Sequence, residues 1–203
     1  MGDVLDVPTH RLAETAVPIH PPIAARWSPR AFDRDYPIAH DDLLALLEAA
    51  RWAATWGRRQ PVRYVVGVRG DQTFEALTRL LNRGNAYAHD ASALILVCAD
   101  EGPDEKTALY SGVDAGAAMA NLAIEAVARG LVVHPMAGFD TEGAREVFAL
   151  ADGLRPLAIV AVGRLGDARD AAPEIAERDA LPRERLPLSQ LMLNWPVGSA
   201  SAR

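Results

Sequence analysis

The chain has 203 residues, half of them apolar and 24% charged, with a formal net charge of -6. Such an acidic balance excludes a general nucleic-acid binder, because phosphate contacts need a basic face. It has no apolar run of about 18 residues, so no membrane span is expected. The stretch Met1 to Thr15 is polar and lacks a signal-peptide core, which makes a cytoplasmic location the expectation.

The length suits one domain over 1-203, with 1-20 as an N-terminal extension of weak periodicity. Pro21-Pro22 suits the first turn of a short helix. The segment Arg26 to Asp33 has no clear period and reads as a loop. Asp41 can cap a helix running to about Ala54, with Leu43, Leu44, Leu47 and Ala50 in one apolar stripe. Thr55 to Pro61 breaks it. Val62 to Val68 reads as a strand, Phe74 to Leu81 as a helix, and Ala93 to Ala99 as a buried strand. Cys98 lies in that strand and is the only cysteine, so it reads as a buried small hydrophobe.

Val113 to Arg129 reads as a long central helix with few charges, and Gly130 suits its C′ position. Leu131-Val132-Val133 reads as a short strand. Asp140 or Thr141 can cap a helix to about Leu150. Leu157 to Gly163 is an apolar strand. The tail, 164-203, is proline-studded and poorly periodic; it is either disordered or packed on something, such as a second subunit. About four strands with interspersed helices give an α/β or α+β sandwich.

Hydrolase elbows, zinc-helix motifs and phosphate-binding Walker loops are all missing from the sequence. No metal site is expected, since His10, His20, His40, His89 and His134 are scattered. Three clusters stand out. Arg26-x-Ser28-x-Arg30 puts two guanidinium groups and a hydroxyl on one side of an extended segment, suited to a phosphate and a polyhydroxyl chain. His134-Pro135-Met136-Ala137-Gly138-Phe139-Asp140 links a strand to a helix, and its small residues let a flat ligand approach the backbone. Arg183-Glu184-Arg185 again puts two cations on one side. Each cluster alone also fits an ordinary solvated loop or connection.

The order of the clusters is more specific than any one of them. From about Ile23 to Leu193 the chain resembles the nitroreductase-like FMN-dependent flavoproteins. Arg26/Ser28/Arg30, Gln60-Pro61, Gly130-Leu131, Pro135-Met136-Ala137-Gly138-Phe139, Gly163 and Arg183-Glu184-Arg185-Leu186-Pro187-Leu188 occur in that family's order.

The resemblance implies an α+β fold with a mainly antiparallel sheet flanked by helices and a C-terminal tail wrapping the partner of a homodimer. By it, Arg26, Arg183 and Arg185 hold the FMN phosphate. Ser28 binds the phosphate or ribityl chain, and Arg30 stands at the flavin N1/O2 edge. Pro135, Met136, Ala137 and Gly138 line the ring, the last three through backbone N–H groups. Thr55 and Arg58 belong to a turn that reaches the flavin from the other subunit. His134 is a candidate proton donor.

Two departures are visible: Ala54, Thr55 and Arg58 stand where the family has Pro-Ser and an asparagine, and Val62 where it often has tryptophan. The segment Gly102 to Gly112 is too short for the helical cover some relatives carry, leaving the pocket open or partly lidded by Tyr110. The implied activity is ping-pong transfer from NADH or NADPH to a small-molecule acceptor, a nitroaromatic, quinone or enone. The alternatives are a flavin-binding or storage protein with little turnover, or a flavin-dependent dehydrogenase of a biosynthetic intermediate.

Overall fold

The computed structural model describes residues 11–194. In chain order these form α1 (Pro21–Ala25), α2 (His40–Arg51), β1 (Val62–Val68), α3 (Gln72–Leu80), a 3-10 stretch (Arg83–Asp90), β2 (Ala93–Asp100), α4 (Glu105–Ala128), β3 (Val132–Met136), α5 (Thr141–Val147), β4 (Leu154–Gly163), α6 (Pro173–Ala180) and α7 (Leu188–Leu191). The four strands make one open sheet in the order β1-β2-β4-β3, antiparallel throughout.

The sheet is buried on both faces, and the alternation of β2 shows how. Ala93, Ile95, Val97 and Ala99 pack with Leu43 and Leu46 of α2 and Ala118 and Leu122 of α4. Leu94, Leu96 and Cys98 point the other way, into Phe74, Leu77 and Leu80 of α3 and Ala144 of α5. Successive strand residues face opposite sides, so a strand covered by helices on both faces must be apolar throughout. Each large side chain fully buried there contributes about 1.5–3 kcal/mol.

Several boundaries differ from the sequence reading, each for a local reason. Asp41 is not a cap: the N-cap of α2 is Ala39, which has no side-chain bond, and Asp41 lies in the first turn, where a carboxylate still favours the helix dipole. α4 begins eight residues earlier than expected, at Glu105, because Asp104 accepts from the Thr107 N–H at 2.9 Å and caps it. Gly112 and Gly116 are therefore helix-interior residues. The expected end does hold. Leu131 N–H donates to the Ala126 carbonyl at 2.8 Å and Gly130 N–H to Val127 at 3.0 Å, with Gly130 at φ 72°. Pro135 and Met136 lie inside β3 rather than in the following loop; β3 is an edge strand, where proline is tolerated.

Of the tail, residues 195–203 lie outside the described residues, and the part that follows β4 packs on its own subunit. Asp33 N–H donates to the Arg164 carbonyl and Gly166 N–H to the Ala31 carbonyl, both at 3.0 Å, so the residues after β4 run against the segment 31–33. α6 follows, opened by Pro173 at its first turn.

One contact fixes how closely α3 approaches the sheet. A Cβ added to Gly67 of β1 would overlap the Phe74 backbone nitrogen and lie 2.6 Å from its Cα. Backbone cannot step aside as a side chain can, so Gly67→Ala should force α3 off the sheet. The expected cost is about 3 kcal/mol, or roughly 6–12 °C in Tm for a domain of this size. Thermal unfolding of the variant checks it, and a loss below about 1 kcal/mol would show that α3 floats freely.

Candidate functional site

The segment before α2 is extended, and its exposure alternates as expected. Trp27, Pro29 and Ala31 are buried, while Arg26, Ser28 and Arg30 are half-buried on the other side. Arg26 Nη1 donates to Ser28 Oγ at 3.2 Å, so the first guanidinium and the hydroxyl share one surface.

The other two clusters converge on this segment. His134 places Nδ1 2.9 Å from the Pro29 carbonyl. Arg183, 157 residues away in sequence, donates to the Arg26 carbonyl at 2.8 Å and the Ala24 carbonyl at 3.0 Å, and also to the Arg11 carbonyl. Arg11 is buried, stacks its guanidinium 4.0 Å over Trp27 and donates to the Leu181 carbonyl at 2.6 Å, while its Nε has no partner.

Arg11, Arg26, Arg183 and Arg185 therefore stand together, and among the described residues none of them forms an ion pair with a carboxylate. Burial lowers the pKa of Arg26, and the charge of Arg185 lowers it further. Burial lowers that of Arg183 as well, followed by Arg26, Arg11 and Arg185. Like charges held together without counter-charge make a region of strong positive potential, which a phosphate relieves.

The individual roles differ from the simple expectation. Arg183 spends its N–H groups on three carbonyls and so ties the tail to the Arg26 segment. Arg185 is exposed, with its Nη1 on the neighbouring Glu184 carbonyl at 2.7 Å. Its guanidinium is the one more available to a ligand.

Arg30 lies on the side of His134 and Tyr87. Its guanidinium is 5.8 Å from the Tyr87 ring centre, and Tyr87 stands 5.1 Å from the His134 ring. Burial pushes the Tyr87 hydroxyl up to about 12. Burial likewise lowers His134 below the usual imidazole range, against a smaller opposing effect of the Pro29 carbonyl. A carbonyl can only accept, so the neutral ring carries its proton on Nδ1 and leaves Nε2 as an acceptor. His134 thus pins β3 to Pro29 and is not built to donate a proton from Nε2.

At the end of β3 and in the loop after it, Pro135 and Ala137 are exposed. Met136 is 3% exposed and packs into the core with Ile159, so its side chain does not line a ligand site. Gly138 is pinned from behind: its carbonyl accepts from Asn85 Nδ2 at 2.8 Å and from Asn82 N–H at 3.1 Å. A Cβ at Gly138 would come within 2.9 Å of Asn85 Nδ2, so a larger residue there would displace the amide that braces this loop.

Thr55 and Arg58 lie apart from these clusters, in a turn fastened to α4. Buried Asp114 accepts the Trp56 N–H at 3.0 Å, and Arg59 reaches Ser111 Oγ and the Asp100 carbonyl, each at 3.3 Å. Trp56 stacks on Tyr110, centres 5.0 Å apart, so Tyr110 braces this turn instead of lidding a pocket. Arg58 is exposed. A cavity of about 290 Å³ opens beside Thr55 between α2, β1 and α4, and a larger one of about 1030 Å³ lies beside Arg30, between the 3-10 stretch and α6.

Sequence reasoning missed Arg11, Asp114 and Asp179. Asp114 had a usable signal as one of the few charges of a helix otherwise read as central.

The chain matches the model of the Nitroreductase family over residues 23–83 and 70–164. The chain belongs to that family. A solved structure described as an oxidoreductase containing FMN superposes with a TM-score of 0.82 at 31% identity, covering 93% of this chain and 96% of its own. An uncharacterized 15.4 kDa protein of Mycolicibacterium smegmatis is 59% identical over 146 residues, 68% of this chain and 99% of that one. A Streptomyces coelicolor protein described as an NADH dehydrogenase/NAD(P)H nitroreductase is 29% identical over 154 residues, 65% of this chain and 78% of that one. In this nitroreductase-family chain no described helix is long and apolar enough to cross a membrane.

Proposed function

We propose that this chain is an FMN-dependent NAD(P)H oxidoreductase that acts as a homodimer on a small-molecule acceptor. The observation that carries the reading is the convergence of three segments, 26–30, 134–138 and 183–185, around arginines that lack a carboxylate partner among the described residues. Similarity to the FMN-containing oxidoreductase supports the cofactor, and similarity to the NAD(P)H nitroreductase supports the donor.

In this reading Arg26 and Arg185 contact the FMN phosphate. Arg183 holds the tail against Arg26 and adds charge, and Ser28 binds the phosphate or the ribityl chain. Arg30 stabilises negative charge at the N1/O2 edge, an electrostatic role that needs no proton transfer. The main chain from Pro135 to Gly138 faces the ring, with Asn82 and Asn85 bracing it. When bound, FMN supplies the hydride chemistry that the side chains here cannot. Solvent can supply protons, since His134 is engaged with Pro29.

The dimer reading rests on α4. Leu109, Val113, Gly116 and Ala120 are exposed along one stripe of this helix, with Leu109 65% and Val113 58% exposed. A second copy covering this stripe brings the Thr55–Arg58 turn, which Asp114 fastens to the same helix, to the neighbouring flavin. Arg58 then presents a guanidinium to an anionic acceptor or to the 2′-phosphate of NADPH. The exposed tail residues Leu186, Leu188 and Leu191 wrap the partner.

The test is a fluorescence titration of the protein with FMN and with riboflavin, followed by anaerobic bleaching with NADH and NADPH. FMN should bind stoichiometrically at micromolar concentration and at least tenfold more tightly than riboflavin. Bleaching should follow, and a quinone or nitroaromatic should restore the colour. A protein that ignores FMN sinks the reading; one that holds FMN but never bleaches is a carrier rather than an enzyme.

A further inference from the structure

Helix α6 raises a question that burial alone does not answer. Its single buried residue is a carboxylate, Asp179. Helices normally dock through an apolar stripe, whereas this one is tied to the site through charge. Asp179 Oδ2 accepts the N–H of Arg30 at 2.7 Å and of Ala31 at 3.0 Å. Oδ1 is buried without a hydrogen bond and lies 3.6 Å from Arg30 Nη1. A buried carboxylate oxygen left without a hydrogen bond is costly, and the adjacent guanidinium is what compensates it.

Building on the FMN reading, we propose that Asp179 is a positioning residue and counter-charge for Arg30, setting how strongly that arginine stabilises negative charge on the flavin. The two backbone bonds fix the direction in which Arg30 leaves the chain. The free oxygen then draws the guanidinium toward α6 and offsets part of its charge. Reduction of the flavin places negative charge at the edge Arg30 faces, so an arginine shared with Asp179 stabilises the reduced form less than an unshared one. The potential of the cofactor is thereby tied to a helix of the tail.

The test compares Asp179→Asn with the parent protein, both loaded with FMN. Asparagine keeps an oxygen for the backbone N–H groups and removes the charge. The reduction equilibrium of bound FMN should shift about tenfold toward the reduced form, a rise of about 30 mV for a two-electron couple. In an Arg30→Ala background the same substitution should shift it less than threefold, because Asp179 acts through Arg30. Asp179→Ser, also neutral and able to accept, repeats the measurement should the asparagine variant fail to fold.

A reduction equilibrium that stays within threefold of the parent, with a lowered Tm, would reduce Asp179 to a latch for α6 and overturn the proposal. An equal shift with and without Arg30 would overturn it as well. FMN affinity of the parent protein is measured first: failure to bind refutes the FMN reading, whereas binding with an unmoved potential refutes the role of Asp179 alone.

Discussion

Replacing Arg26 and Arg185 together by alanine should weaken FMN binding at least about a hundredfold while costing the apoprotein almost no stability. Each charge-assisted contact to phosphate is worth about 1.5–3 kcal/mol, and tenfold in affinity is about 1.4 kcal/mol. Two lost contacts therefore remove two or more orders of magnitude. Stability responds differently because these cations are unfavourable in the empty site. The Arg26 pKa is lowered, first by burial and then by Arg185, so the folded state disfavours its charge. Deleting them also relieves repulsion with Arg183. The bond from Arg183 to the Arg26 main-chain carbonyl survives the change.

Arg183→Ala is the informative contrast. It breaks three carbonyl contacts that hold the tail, so it should lower Tm of the apoprotein as well as FMN affinity. Isothermal titration with FMN and thermal unfolding without it separate the two. An unchanged Kd in the double variant would return Arg26 and Arg185 to solvated surface residues.

What the sequence showed of this site follows from the range of the forces involved. Strands β2 and β4 were visible because burial on both faces demands continuous apolar runs. The Arg26/Ser28/Arg30 alternation was visible because extended backbone has a period of two. The end of α4 was marked by a glycine at positive φ. Its start was hidden, because the cap at Asp104 precedes a mixed segment in which Gly112 weakens the helical pattern. Met136 was misplaced for a related reason: a proline before it suggested a loop, and only the edge position of β3 allows it in a strand.

Asp179 was the least legible. Nothing in Pro173–Ala180 marks one of its several acidic residues as buried; that depends on the tail folding back onto residues 30 and 31. The role of Arg183 was hidden in the same way. Its spacing from Arg185 matched a phosphate motif, but the carbonyls it meets come from Arg11, Ala24 and Arg26, which no local pattern brings together.

If the chain pairs through α4 as proposed, arginine at both Val113 and Ala120 should leave it monomeric and cost FMN affinity at the same time. Both positions lie on the exposed stripe of α4, seven residues apart and thus on one face. Gly116 between them has open space where a Cβ would stand, so the stripe is a shallow apolar surface with nothing of its own chain over it. In the monomer the new side chains are solvated and should cost little. In a two-fold dimer each substitution appears twice, and four guanidinium groups must enter a surface without counter-charges. Burying an unpaired charge costs several kcal/mol, so the dimer dissociation constant should rise by at least about a thousandfold. The Thr55–Arg58 turn is fastened to α4 through Asp114, so a monomer would lack the turn that the partner brings to its flavin in the proposed dimer. FMN affinity should then fall by about tenfold or more with Arg26 and Arg185 untouched. Sedimentation at several protein concentrations reads the first effect and FMN titration the second. A variant that remains dimeric would place the interface elsewhere, and a monomer with full FMN affinity would show that one chain builds the whole site.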